Sequence, residues 1–180
     1  MTDWDEKAAI QAAKINPEAF GALYERYVDR IDSYVYHRVG NTHDAQDLTS
    51  RTFYRALSHL DTYQDKGFPF SAWLYRIAHN LVVDHFRSGR QDRQVELDDW
   101  SIVSDEHPAE SAESLLAQER LRRAIGRLTE DQSIVITLKF IEGLSNAEVA
   151  GLIGKSEGAV KSLQFRGLAA LRRIMGEDRP

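Results

Sequence analysis

Hydrophobic residues recur along most of the chain at intervals of three and four, which is the spacing of one face of an α-helix. The longest such stretch opens with Asn16 and Pro17, a capping residue followed by a first-turn proline, and closes at Gly40. Thr42 then has the side chain to cap the next helix. No stretch alternates between apolar and polar residues in the manner of a strand bounded by hairpin turns. The sequence therefore predicts an all-α fold.

The helical pattern of the first half is interrupted over residues 61–71, where Gly67 and Pro69 prevent a continuous helix. Ser71 is the expected cap of the helix that follows the interruption. With one short helix at the N-terminus, residues 1–90 are expected to form a four-helix domain.

Residues 91–114 are strongly acidic, contain a proline and show no sustained periodicity, so we interpret them as a flexible linker. The helical pattern resumes in residues 115–180, where Thr129 and Ser145 each have a glutamine or glutamate three residues later, as in a capping box. The expected architecture is two small helical domains, of four helices each, joined by an acidic linker.

The last two predicted helices are separated by a tight turn. The first runs from Ser145 to Gly154, which can adopt the left-handed conformation, and Ser156 can cap the second. The expected buried stripe of the second helix is Val160, Leu163, Leu168 and Leu171. Outside this stripe lie Lys161, Ser162, Phe165 and Arg166. Two capped helices, a glycine-containing turn and exposed basic residues are typical of a helix-turn-helix that reads DNA. An ordinary helical hairpin with a solvated basic face is the alternative, and the segment favours DNA binding over it.

The net charge of −5 is unevenly distributed along the chain. Residues 1–90 carry a net charge of −1, residues 91–118 carry −7, and residues 119–180 carry +3. The acid is concentrated around the linker, whereas the predicted DNA-reading segment is basic. Such a chain should avoid indiscriminate binding to nucleic acid and should depend on a partner that brings it to DNA.

Two stripes run along the helix that follows residue 71. The apolar one is expected to be buried and contains Leu74, Ile77, Ala78, Leu81, Val82 and His85. The neighbouring one contains Trp73, Arg76, Asn80, Asp84 and Arg87, at steps of three, four, four and three. An aromatic ring, guanidinium groups and an amide offer stacking, phosphate contacts and base-edge hydrogen bonds. From this helix alone, a core tryptophan beside a solvated polar face is the favoured interpretation.

Composition and motifs argue against several other classes. The absence of cysteine excludes disulfides and cysteine-rich zinc sites. No apolar run approaches the roughly 20 residues of a membrane span, and the N-terminus lacks the order of a signal peptide, so a cytoplasmic protein without membrane insertion is expected. No HExxH or phosphate-binding glycine loop occurs, and a candidate triad of Ser71, Asp84 and His85 lacks a nucleophile elbow. We therefore expect no catalytic residues, metal or cofactor.

Three segments together resemble the extracytoplasmic-function (ECF) class of bacterial RNA polymerase sigma factors. They read DAQDLTSRTFYRAL from Asp44 to Leu57, AWLYRIAHN from Ala72 to Asn80, and GLSNAEVAGLIGKSEGAVKS from Gly143 to Ser162. The resemblance covers residues 17–173 apart from the linker. One such motif is weak evidence, but three in the right order and at the right separations are strong evidence.

This resemblance implies a set of contacts with RNA polymerase core. Asp44, Asp47, Leu48, Arg51 and Phe53 would dock against the coiled coil of the β′ clamp. The β flap is the second expected core contact. A family member is expected to be a monomer when free, and an anti-sigma factor that clamps both domains is a frequent partner in the family.

The resemblance also implies two contacts with promoter DNA. Trp73, Arg76, Asn80 and the 61–71 loop would engage the melted minus-ten element, with Asp84 and Arg87 on the same stripe. Lys161, Ser162, Phe165 and Arg166 would enter the major groove of the minus-thirty-five element. The acidic linker would either occupy the basic RNA exit path of the polymerase or serve as a solubilising tether, and the two are equally supported.

A conventional dimeric helix-turn-helix regulator is the closest alternative function. It would use its N-terminal domain for dimerisation or ligand sensing and would bind two symmetric half-sites. Oligomeric state and dependence on core polymerase discriminate between the two functions.

Overall fold

Eight α-helices account for most of the residues that the computed structural model describes, which are 4–88 and 112–177. In the first half they are α1 (Glu6–Ile15), α2 (Phe20–Val39), α3 (Thr42–Ser58) and α4 (Phe70–Ser88). In the second half they are α5 (Ala112–Gly126), α6 (Glu130–Ile136), α7 (Asn146–Ile153) and α8 (Glu157–Glu177). Short 3₁₀ turns cover Pro17–Ala19 and Leu60–Thr62, and a π-helical turn covers Thr137–Ile141. No strand occurs within these two ranges, which confirms the all-α prediction.

The ends of the first helices follow the sequence signals with one shift. Gly40 ends α2 in the left-handed conformation, with φ of 77°, as predicted. Asn41, not Thr42, caps α3, because its side chain accepts a hydrogen bond from the backbone of Asp44. Thr42 is instead the first residue of that helix.

The start of α4 differs from the prediction because a distant residue satisfies its backbone. The helix begins at Phe70, whose N–H donates to the Glu6 carboxylate of α1 over 3.2 Å. Ser71 is buried and is not the cap, since its hydroxyl donates to the Glu142 carboxylate in the second half of the chain. This partner is 71 residues away in sequence and could not be read from the local pattern.

Both capping boxes of the second half, at Thr129 and at Ser145, form as predicted. Gly154 ends α7 with φ of 66°, and Ser156 accepts from the backbone of Ala159 at the start of α8. The first helix of this half begins at Ala112, three residues earlier than the helical pattern of the sequence indicates.

The buried stripe of α8 contains a glycine that the hydrophobic pattern overlooked. Leu168 is 43% exposed, so its predicted burial was wrong. Gly167 is buried in its place, and a Cβ there would lie 3.0 Å from the side chain of Ile136 on α6. The absence of a side chain at this position therefore allows α6 and α8 to pack closely.

The two halves of the chain pack against each other through a shared hydrophobic core. Helix α2 contacts α5, and α4 contacts α6 and α7. One cluster of buried residues includes Leu23, Leu48 and Phe70 from the first half together with Ile134, Leu138 and Val149 from the second. Apolar burial of this kind is the main favourable contribution to the contact between the halves.

Polar groups add specificity to this contact. Arg38 of α2 donates to the carbonyl of Gly126 over 2.9 Å and to that of Leu128, which satisfies carbonyls at the end of α5. The Glu142 carboxylate accepts from both Arg30 of α2 and Ser71 of α4. Its side chain is 4% exposed, so two donors from the other half compensate its burial.

Gly126 of α5 lies close against the backbone of α2. A Cβ at this position would lie 2.1 Å from the carbonyl oxygen of His37 on α2. Because no real Cβ tolerates that distance, the observed packing of α5 on α2 requires glycine at residue 126.

Candidate nucleic-acid interface

The polar stripe on α4 is exposed over most of its length. Arg76, Asn80, Asp84 and Arg87 are exposed, as the sequence predicts. Trp73 is half-buried and packs against the core. It is therefore a core residue, as one interpretation of the sequence held, and it also keeps accessible surface for stacking, as the other required.

Trp73 belongs to an aromatic group that joins α4 to the preceding loop. Its ring centroid lies 4.8 Å from that of Tyr63 and 5.4 Å from that of Phe70. Burial, followed by the charges of Asp65 and Glu6, raises the pKa of Tyr63 to about 12, so its hydroxyl is neutral at ordinary pH. Phe70 is fully buried, so Tyr63 and Trp73 are the rings on which a base could stack.

A pocket of about 540 Å³ opens beside this aromatic group. The residues of the stripe that line it are Trp73, Arg76 and Asn80. Its other walls come from α3 and the residue that follows it, the 61–69 loop, α7 and one further residue of α4: Arg55, His59, Thr62, Tyr63, Gln64, Lys66, Phe68, Pro69, Gly151, Leu152 and Ile77. Asp84 and Arg87 lie further along α4 and are not among the lining residues.

The charge of the pocket suits an anionic ligand. Arg55, Lys66 and Arg76 line it, and the lining residues that the structure describes include no aspartate or glutamate. Sequence reasoning identified Arg76 and the 61–71 loop that contains Lys66, but it did not single out Lys66 and it missed Arg55, which lies on a different helix. A mixture of cations and aromatic rings is the surface that single-stranded nucleic acid prefers.

The predicted polymerase-binding residues on α3 divide into exposed and buried ones. Asp47 and Arg51 are exposed and approach each other to 3.5 Å. Leu48 is 1% exposed and Phe53 is 4% exposed, so both are core residues. Helical spacing alone did not separate the outer face of α3 from its inner one, and the contact of these two residues with core polymerase stays a prediction.

Asp44 is part of a local network near the start of α3. It accepts from the side chain of Asn41 over 2.9 Å, and His85 of α4 lies 3.5 Å from its carboxylate. The side chain is 12% exposed. Asp44 therefore links α3 to α4 and retains only a small accessible surface.

The predicted reading residues of α8 lie together on its exposed face. Lys161, Ser162, Phe165 and Arg166 line one shallow surface, and Phe165 is 77% exposed. Lys161 pairs with Glu157 one turn earlier, at 3.2 Å, and Arg166 donates to the carbonyl of Ser162. An exposed i,i+4 pair contributes little to stability, so the lysine can exchange this partner for a phosphate.

Two histidines are buried where the halves of the chain meet. Burial lowers the pKa of His79, whose Nδ1 lies 3.4 Å from the Tyr34 hydroxyl. Burial also lowers the pKa of His37, against the opposing effect of Glu119. Both are neutral packing residues at pH 7, and no group of potential metal ligands occurs in the described residues.

Comparison with known proteins identifies the family of the chain. Residues 23–92 match sigma-70 region 2, and residues 118–171 match sigma-70 region 4. The chain is 33% identical over 178 residues to the ECF RNA polymerase sigma factor SigW of Bacillus subtilis, covering 93% of this chain and 95% of SigW. It is 43% identical over 164 residues to the ECF sigma factor BldN of Streptomyces coelicolor, covering 89% of this chain and 62% of BldN. The chain belongs to the ECF sigma factors of RNA polymerase.

Solved structures agree with this assignment. CnrH in complex with the cytosolic domain of CnrY matches with a TM-score of 0.64 and 29% identity, over 98% of this chain and all of that one. The sigma factor RpoE in complex with the anti-sigma factor NepR from Bartonella quintana has the same fold, with a TM-score of 0.62 and 20% identity over 89% of this chain and 98% of that one. None of the described helices is long and apolar enough to cross a membrane.

Proposed function

We propose that this sigma factor binds RNA polymerase core through the outer face of α3 and directs it to promoters through two separate DNA-binding surfaces. The observation that carries the proposal is the pocket beside α4, which combines aromatic rings with cations and has no carboxylate among its described lining residues. The relatives are sigma factors, and we assign no enzymatic activity to the chain. Its place of action is then the cytoplasm, where core polymerase operates.

The pocket is assigned to the unpaired minus-ten element. Opening DNA costs about 1.4 kcal/mol per base-pair step, so a protein that uses no ATP must capture bases as they separate. Trp73 and Tyr63 offer a stacking surface, Asn80 a base-edge hydrogen bond, and Arg55, Lys66 and Arg76 phosphate contacts. Asp84 and Arg87 lie further along α4, outside the pocket, so we assign them at most a minor contribution to capture of the strand.

Arg166→Ala is expected to weaken binding of the polymerase–sigma complex to an upstream duplex by ~1–3 kcal/mol if the arginine contacts a guanine. The exposed face of α8 presents Arg166 beside Lys161, Ser162 and Phe165, which supports assigning it to the minus-thirty-five element. Duplex binding measured by fluorescence anisotropy would test this effect. Arg172→Ala, at an exposed position nearer the C-terminal end of α8, is the matched control. An equal loss in both variants would indicate a general charge effect.

Reconstituted transcription distinguishes the sigma function from a dimeric regulator. We expect core polymerase to retain the protein on a column, and the mixture to initiate at promoters that core alone ignores. The free protein should be a monomer with little affinity for promoter DNA. A dimer that binds a palindrome tightly without polymerase would support the regulator instead.

An anti-sigma factor is a further proposed partner; CnrH, which is 29% identical to this chain, was solved in complex with a protein partner, the cytosolic domain of CnrY. The alternative roles of the acidic linker concern residues 91–114, and 91–111 lie outside the described residues. Its placement in the RNA exit path therefore stays a prediction from the sequence.

A further inference from the structure

Helix α1 contacts the loop that forms one side of the pocket. The Lys14 ammonium donates to the carbonyl oxygen of Tyr63 over 2.7 Å and lies 5.9 Å from the centre of its ring. Lys7 pairs with Asp65 at 3.1 Å, and Glu6 accepts from the backbone of Phe70. These contacts reach the start, middle and end of the segment that connects α3 to α4.

The loop has little regular structure to fix its own conformation. After the 3₁₀ turn at Leu60–Thr62, its one local side-chain hydrogen bond among the described contacts runs from the Gly67 N–H to Asp65, over 2.8 Å. Yet the loop supplies Tyr63, Gln64, Lys66 and Phe68 to the pocket. Its order must therefore come from packing and from groups outside the loop.

We propose that Lys14 is a positioning residue for the 61–69 loop, and that α1 thereby sets the affinity of the pocket for unpaired bases. This inference rests on the proposed assignment of the pocket to the minus-ten element. The match to sigma-70 region 2 begins at residue 23, so α1 lies outside it. Lys14 touches no pocket ligand itself and acts through the backbone of Tyr63, whose ring packs against that of Trp73 at an interplanar angle of 47°.

The three contacts differ in their expected importance. The Lys7–Asp65 pair is well exposed, with side chains 80% and 39% accessible, so water and salt screen it. Glu6 also accepts from the Tyr27 hydroxyl, so replacing it would disturb α2 and α4 together. Lys14 is half-buried and makes a charge-assisted hydrogen bond with one loop carbonyl, which makes it the most selective probe.

The test compares Lys14→Met, Lys14→Arg and Lys7→Met in the full-length chain bound to core polymerase. The probe is a promoter fragment whose minus-ten element is already unpaired by mismatches, so that binding does not include strand opening. We expect Lys14→Met to weaken binding roughly tenfold, the effect of losing one charge-assisted hydrogen bond. Lys14→Arg should keep most of the parent's affinity because arginine retains a charged donor. Lys7→Met should bind within about twofold of the parent.

A spectroscopic measurement separates loop position from general destabilisation. In a chain carrying Trp4→Phe and Trp100→Phe, the remaining fluorescence comes from Trp73 against Tyr63. Lys14→Met should increase acrylamide quenching of Trp73, and Lys14→Arg should not, at matched helix content by circular dichroism. Unchanged quenching and binding in Lys14→Met would overturn the proposal, as would an equal loss of affinity for core polymerase.

Trp73→Ala in the same binding assay distinguishes an error in the pocket assignment from an error in the proposed role of Lys14. If Trp73→Ala weakens binding and Lys14→Met does not, the pocket assignment stands and the role of Lys14 is wrong. If neither variant affects binding, the pocket itself is not the minus-ten site, and the positioning role falls with it.

Discussion

Open-complex formation by the Asn80→Ala variant is expected to fall about tenfold or more, with association to core polymerase unchanged. Asn80 is exposed and lines the pocket, where its amide can make a base-edge hydrogen bond worth ~1–3 kcal/mol. Trp73→Ala should have an effect at least as large, because loss of a stacking ring costs ~1–3 kcal/mol per base. Permanganate reactivity of unpaired thymines in the minus-ten element measures opening directly.

Asp84→Ala is the matched control for Asn80→Ala. The two residues lie one helical turn apart on the same exposed stripe of α4, but Asp84 does not line the pocket. A small effect of Asp84→Ala beside a large effect of Asn80→Ala would show that the pocket, and not the whole stripe, captures the strand. Similar effects in the two variants would contradict the pocket assignment.

Gly126→Ala is expected to disrupt the packing of the two halves of the chain. The added Cβ would meet the His37 carbonyl oxygen at 2.1 Å, and a backbone atom cannot move aside as a flexible side chain would. Arg38 donates a hydrogen bond to the carbonyl of Gly126, so displacement of this residue would leave the buried Arg38 guanidinium short of partners. Small-angle scattering of the free protein should show a larger radius of gyration.

A second measurement follows the pocket itself, since Gly151 and Leu152 of α7 form one of its walls. Separation of the halves should make Trp73 more accessible to acrylamide in a chain with no other tryptophan. Gly21→Ala is the control: it places the same methyl group on a helix where no atom lies within 4 Å. If Gly126→Ala matched Gly21→Ala in both scattering and quenching, the close approach at residue 126 would not hold the halves together.

The sequence predicted the fold class and most helix ends because those signals are local. Capping boxes at Thr129 and Ser145 and the stop signals at Gly40 and Gly154 depend on backbone groups within one turn. The exposed faces of α4 and α8 were also predictable, because helical periodicity separates an inner from an outer stripe. Those two faces carry the predicted DNA-contacting residues.

Features that depend on distant partners were not predictable in this way. Ser71 has the side chain of a cap, but Glu142 binds it, while Glu6 satisfies the helix start instead. Gly167 is buried, yet a residue without a side chain leaves no mark in a hydrophobic pattern. Likewise, Arg55 and Lys66 join the pocket only after α3, the loop and α4 have packed together. These contacts are properties of the tertiary structure.

If the pocket captures DNA as we propose, the wall that α7 contributes to it would couple that capture to the arrangement of the two halves. If a captured strand must displace Leu152, then strand binding favours separation of the two halves of the chain. Separation of the halves favours strand binding by the same free energy, since such coupling is reciprocal. Substitutions in α7 that touch no nucleotide could then set how readily a promoter opens. Sensitivity to weak promoters could thus evolve at the wall of the site, with the reading residues unchanged.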